Sequence, residues 1–454
     1  MDALHSAFLR QMQEILTEDN SSFIEAINGE VPISVRINPY KNSLLDLPFD
    51  QPIPWTSEGH YLKKRPVFTL DPSFHAGAYY VQEASSMFIE QAIKQLVDLD
   101  GTVRALDLCA APGGKSTLVS SLLNEESLLV SNEVIGSRYK ILIENMHKWG
   151  NSNQLIINHD VKDLGHLNGF FNLILVDAPC SGEGLFRKDK KARSEWSENN
   201  VALCAARQKR ILAEASELLA PDGILIYSTC TYNEHENEKN AAWIEETLGL
   251  ECQKINTEKS WGLTEKKIGY QAYPHKCKGE GFYMSVFKAE SNRSENKMKL
   301  KSKGGKTLEI LNAKESEKVA AFLDKPEAYT IYRNHLDEFC FFPKALKREF
   351  QFVCQSLYRY HAGTPMGTFK HNKLIPNHAF ALSNGIKHTF PKLDLDKTTA
   401  ISYLRKETLP VPEGKGQGWH LMCYQGLKLG WGKVLKDRIN NYFPKNLRIR
   451  MQDN

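Results

Sequence analysis

The chain has nine cysteines, an odd number, and none of them forms a CxxC pair. Scattered single thiols exclude both a disulfide framework and a structural zinc site. Long apolar runs are also missing, and nothing approaches the roughly 18 consecutive apolar residues of a membrane span. The opening MDALHSAF lacks a basic stretch followed by an apolar one, so no secretory signal is expected. Charge of one sign is scarce: the formal net charge is +4, so any contact with nucleic acid must come from local basic clusters. A metal-free protein of the reducing cytoplasm, away from membranes, is expected. At 454 residues the chain exceeds one ordinary core, and two or three domains are expected.

The first segment opens with Leu4, Phe8, Met12, Ile15 and Leu16 on one helical face. The alternating run Val31, Ile33, Val35, Ile37 follows, with Ser34, Arg36 and Asn38 assigned to the other, polar face. These features predict a small α+β unit over 1–75. From 76 to 290 strands alternate with helices, which predicts a doubly wound parallel α/β sheet of Rossmann-like type. Its strands are expected at Val103–Leu108, Leu128–Asn132, Gln154–Asn158, Leu173–Val176, Ile224–Ser228 and Phe282–Phe287. A helix over Val201–Leu219 is expected to stop at Pro221-Asp222-Gly223. Residues 291–307 form a basic linker, with Arg293, Lys297, Lys299, Lys301, Lys303 and Lys306. A last unit, 308–454, ends in a tail that mixes Lys428, Lys433, Lys436, Arg438, Lys445, Arg448 and Arg450 with Trp431, Tyr442 and Phe443.

The segment LDLCAAPGGKS (Leu106–Ser116) runs from a strand into a glycine-rich turn. Its end, Gly114-Lys115-Ser116, mimics a phosphate-binding P-loop, and Asp177 after Leu173–Val176 mimics that motif's magnesium-binding partner. The P-loop reading fails at its first glycine, which here is Cys109, and at Pro112, which stiffens the loop and removes a donor. A site at the carboxyl ends of the strands fits better. Glu133 follows the second strand, where an acid bonds ribose hydroxyls, and Asp160 follows the third, within reach of an adenine amino group. Two acids without a phosphate cradle suit a cationic adenosyl ligand, S-adenosylmethionine.

Cys180 ends LILVDAPC and Cys230 ends GILIYSTC, on adjacent strands of such a sheet. The two thiols are therefore expected together, beside the cofactor loop. A helix over Glu234–Ile244 is expected to turn its positive end towards Cys230. Thiolate addition to C6 of a pyrimidine makes C5 enamine-like, so that it takes a methyl group; loss of the C5 proton and of the thiol restores the ring. Asp177 is placed as an acid near N3. These residues leave open which thiol adds.

The set LDLCAAPGGKS, NEVIGSR, DAPCSGEG, YSTCTYNEHENE and PHKCKGEGFY resembles the Sun-type RNA (cytosine-5) methyltransferases, in particular their bacterial RsmF-like branch. YYVQEASSM and SVRIN resemble the lead-in of that branch, and GWHLMCYQGLKLGWGK with KNLRIR resembles its C-terminal PUA-like RNA-binding module. The resemblance implies that Cys230 is the nucleophile and that Cys180 assists release. It implies a cofactor site of Cys109, Ala110, Ala111, Pro112, Gly113, Gly114, Lys115, Glu133, Arg138, Asp160 and Asp177. It also implies RNA as substrate, small-subunit ribosomal RNA ahead of transfer RNA, and a monomeric enzyme.

Overall fold

The structure, a computed structural model, describes residues 4–41, 43–300, 308–371, 373–414 and 416–451. Lys301, Lys303 and Lys306 of the basic linker lie outside the described residues.

Leu128–Asn132, Gln154–Ile157 and Phe171–Asp177 are apolar runs with few polar residues, and strands of that composition are stable only when both faces are covered. Together with Arg104–Asp107 and Leu219–Thr229 they form a parallel sheet of spatial order 3-2-1-4-5. Successive side chains feed opposite layers: Leu106, Leu128 and Val130 join one core, and Ala105 and Leu129 the other. Phe282–Lys288 continues the sheet, antiparallel to the fifth strand. Strand order reverses between Arg104–Asp107 and Phe171–Asp177, which opens a crevice at their carboxyl ends.

The long helix after the fourth strand runs over Glu198–Glu217, two residues short of the expected stop. Pro221-Asp222-Gly223 lies inside the irregular start of the fifth strand, where Asp222 has φ 57° and the register with Phe171–Leu173 shifts. At the far edge, Tyr360–Ala362 pairs antiparallel with Gln154–Ile157, so a segment from the chain's last third completes the central sheet.

The N-terminal segment departs from its expected alternation. Helix Ser6–Leu16 buries Phe8, Met12 and Leu16 as its spacing predicts. Strand Ile33–Ile37, however, also buries the face expected to be polar: Ser34, Arg36 and Asn38 are at most 4% exposed. The reason is that this face packs on the central unit. Arg36 rests 4.5 Å over the Trp149 ring and donates to Gln82 Oε1, Gly114 O and Thr117 Oγ1, while Asn38 donates to Trp149 O. Burial pushes the Arg36 guanidinium down to about 9, but it still keeps its charge at neutral pH. The N-terminal strand thereby grips the helix that follows the glycine-rich turn.

The last third carries one five-stranded sheet and one four-stranded sheet, the latter spanning Lys392–Asp394 to Ile439–Asn441. Trp431 and Phe443 of the basic tail are core residues, whereas Tyr442 is 38% exposed. Among the described residues no helix is long and apolar enough to cross a membrane.

Candidate active site

The glycine-rich turn leaves the first core strand at Leu108 and starts the helix Gly114–Leu122. Gly113, at φ 114°, caps that helix in the left-handed region, where a side chain would be strained. Behind the turn, Ser116 Oγ donates to Asp107 Oδ2 at 2.6 Å, and burial raises the Asp107 carboxyl to about 7. The Cys109 thiol is pushed well up, first by burial and then by Asp107, so it stays protonated and is chemically quiet.

Two adjoining cavities share Cys109. The larger, about 310 Å³, is lined by Glu133, Val134, Ile135, Arg138, His159 and Asp160, among others. The smaller, about 160 Å³, runs along Tyr80–Glu83 and the turn to Asp177. Glu133 accepts from Ile135 N and pairs with Arg138 at 3.3 Å, and Arg138 also donates to Ala111 O. Asp160 caps Val161–Leu167 through Lys162 N and lies 3.6 Å from Arg210. The acids Glu133, Asp160 and Asp177 thus stand along one trough, with the loop as its floor. His159 Nδ1, in the wall of the larger cavity, is buried without a hydrogen-bond partner. An elongated adenosyl group carrying positive charge fits this donor and acceptor set.

Asp177 ends the fourth core strand and accepts from Lys115 Nζ at 2.8 Å and from Ser228 Oγ at 2.9 Å. Burial alone would lower the Lys115 pKa, but Asp177 and, more weakly, Cys230 hold it above the usual lysine value. The lysine is therefore a fixed cation beside the thiols.

Cys180 and Cys230 lie with their sulfurs 3.1 Å apart, both half-buried. The hydrogen bond to Cys230 is the largest influence on Cys180, followed by burial and by the charge of Cys230, and all three push its pKa well up. Cys180 therefore keeps its proton, and the two sulfurs share a hydrogen bond.

Two carboxylates that the sequence reading passed over fix this geometry. Glu183, from the loop after Cys180, is fully buried; its Oε2 accepts from Thr231 Oγ1, Tyr232 N and Asn233 N in the loop after Cys230. Its other oxygen accepts from Trp196 Nε1 and Gln11 Nε2. Glu236 reciprocates: it accepts from Ser181 N in the Cys180 loop, and from Gln208 Nε2 and Asn233 Nδ2. Each thiol loop is thus held by an acid from the other. Both acids stand in the motifs DAPCSGEG and YSTCTYNEHENE, and a buried acid beside a catalytic turn is the signal that was available. Glu183→Ala is expected to lower stability by about 3 kcal/mol, since several N–H and O–H donors lose a charged acceptor inside the protein. The urea midpoint measures this; an unchanged midpoint would mean that the bracing carries no load.

The helix expected at Glu234–Ile244 starts later. It spans Glu238–Leu248, because Glu234–Asn237 form a turn locked by Asn233 Oδ1 accepting from Glu236 N. Its N-cap residue, Asn237, accepts from Thr229 Oγ1 and donates to Thr231 O, on either side of Cys230, so the helix start still lies by this thiol. Lys115 is a second positive charge nearby. His275 packs edge-on to Phe23 at 5.8 Å, away from the thiols' own bonding network.

Three family models match the chain: 16S rRNA methyltransferase RsmB/F over 95–288, the N-terminal domain of 16S rRNA methyltransferase RsmF over 4–84, and the methyltransferase RsmF PUA domain over 390–449. A Shewanella sp. (strain MR-7) protein named ribosomal RNA small subunit methyltransferase F is 31% identical, over 94% of this chain and 92% of its own. A protein of the same name from Vibrio parahaemolyticus is 30% identical over 97% of each. Among solved structures, a methyltransferase homolog protein from Pyrococcus horikoshii superposes with a TM-score of 0.54 at 25% identity, covering 63% of this chain and 96% of that one. NSun6 from the same organism, solved with SFG, gives 0.54 at 18% identity, over 64% of this chain and all of its own, a likeness of fold.

Proposed function

The chain belongs to the RsmB/F family of 16S rRNA methyltransferases, and on that footing we propose that it methylates carbon 5 of a cytosine in small-subunit ribosomal RNA. The methyl donor is S-adenosylmethionine, whose sulfonium supplies an electrophilic methyl group. Glu133 would hold its ribose, Asp160 its adenine, and the Cys109–Lys115 turn with Asp177 its amino-acid end, Arg138 keeping Glu133 and the turn in register. The observation that carries the C5 chemistry is the pair of sulfurs 3.1 Å apart beside Lys115.

Cys230 Sγ bonds to C6 of the ring, and the electron pair displaced from the C5–C6 bond makes C5 the nucleophile. Asp177 was expected as an acid at N3. Its carboxylate accepts from Lys115 and Ser228, so the Lys115 ammonium, oriented by Asp177, would bring a positive charge to the developing ring anion beside it. Cys180 acts next. Once Cys230 is a thioether it no longer accepts the Cys180 proton or carries negative charge, so the largest influence holding Cys180 protonated disappears. Cys180 then ionises more readily, losing its own proton to solvent, and takes the C5 proton; the C5–H electrons reform the double bond and expel Cys230 as thiolate. The base thus arises only once the adduct that needs it has formed.

The target base must leave its stack to reach these sulfurs, at a cost of a few kcal/mol. The flanking units, 1–75 and 308–454, would hold the strand that presents it in the cytoplasm, where the enzyme would act as a monomer. The test uses small-subunit rRNA carrying tritium at cytosine C5. One tritium is expected to reach water for each methyl group incorporated. Methylation without release would place the methyl group elsewhere, and preferential methylation of transfer RNA would overturn the substrate.

A further inference from the structure

A cavity of about 300 Å³ lies far from the thiols in sequence and unites three parts of the chain: Tyr40–Lys41, Asn384–His388 and the four-stranded sheet from Lys392 to Lys428. Five of its lining residues are basic or can become so, Lys41, Lys387, His388, Lys392 and Lys428, and none is Asp or Glu. An acid at its rim, Asp324, stands 3.8 Å from His388 Nε2. At the floor, Lys41 Nζ donates to Ala76 O and Lys148 O, and Lys428 Nζ donates to Ser383 O. Carbonyls orient these ammonium groups but do not neutralise them.

A desolvated cation without a counter-charge is costly, and the molecule shows that cost. Burial and then the repulsion of Lys428 and Lys148 push Lys41 well below the usual lysine value. Burial likewise brings Lys428 down to about 8, against an opposing effect of Cys423 and with a smaller repulsion from Lys392. An anion entering the cavity would supply the missing partner and restore both charges.

We propose that this cleft binds a phosphate group of the RNA backbone, clamped between the N-terminal unit and the C-terminal sheet. The assignment to RNA rests on the function proposed above; the chemistry itself, a phosphate oxyanion, is shared with free phosphate. A backbone phosphate held here would fix the strand's register against the whole molecule, because residues from both ends of the chain contribute to its cage. Lys387 and Lys392 are exposed at the mouth, while Lys41 and Lys428 form the half-buried floor.

The test is a Lys387→Glu, Lys392→Glu double variant of the full chain, with binding to 16S rRNA transcript measured across a salt series. The expected result is binding weaker by about tenfold near 0.1 M salt, with the slope of log K against log salt reduced in size by about one for a lost phosphate contact. Affinity for S-adenosylmethionine and the melting temperature without phosphate serve as controls of folding. Inorganic phosphate at about 10 mM, a level chosen to exceed a weak single-ion site, is expected to raise the melting temperature of the natural protein and not of the variant. Unchanged RNA affinity and slope overturn the proposal. If they are unchanged while phosphate still discriminates the two proteins, the cleft takes a free anion and not RNA. Tritium release by the natural protein is read separately, so failure here leaves the C5 reading standing, and failure there leaves this anion cage to be judged on binding alone.

Discussion

Cys230→Ala is expected to abolish methyl transfer, a loss on the order of 10⁴-fold or more, as for other enzymes deprived of a covalent nucleophile. The size follows from the role. Without a sulfur bonded to C6, C5 stays a poor nucleophile, and no neighbouring group replaces the lost electron pair. RNA binding and S-adenosylmethionine binding should survive, because the trough proposed for the cofactor is lined by residues of the Cys109–Lys115 turn, Glu133, Asp160 and Asp177 and not by Cys230. Single-turnover methylation with saturating rRNA measures the effect. Residual transfer within about tenfold of the natural protein would assign addition to another group.

Cys180→Ala should fail in a different way. Addition and methylation proceed, but nothing accepts the C5 proton, so Cys230 stays bonded to the methylated ring. A band of protein joined to RNA that survives denaturation is expected within one turnover, with multiple turnover slowed by about 100-fold or more, the usual size of a lost general base. The natural protein should show little such adduct. If Cys180→Ala turns over without accumulating it, the proton is removed by another group, and the arrangement of the two sulfurs is only structural. The double variant Cys180→Ala, Cys230→Ala distinguishes the outcomes further, because it should form no adduct at all.

Much of this was legible along the chain. The order of strands and helices, the glycine-rich turn and the convergence of Cys180 with Cys230 follow from period-two and helical patterning, and from the rule that ligands gather at the carboxyl ends of parallel strands. Glu133, Asp160 and Arg138 line one cavity, and Asp177 the next. Patterning failed where a polar residue is buried by a partner distant in sequence. Arg36, on the face opposite the apolar run, grips the helix at Gly114, a contact 78 residues away. Glu183 and Glu236 act across two turns that meet only in the fold. Trp431 and Phe443, which stand among basic residues of the tail, are core residues of the four-stranded sheet.

The amino-acid order by itself determined the central sheet, the cofactor turn and the pairing of the thiols, because local hydrophobic periodicity and short connections dictate them. Only the tertiary structure decided what surrounds those groups. The mutual bracing by Glu183 and Glu236, the Lys115–Asp177 pair, the clamp by Arg36 and the lysine-lined cleft all join residues from separate segments. Whether a charge is buried, and what satisfies it there, depends on neighbours that meet only when the chain has folded.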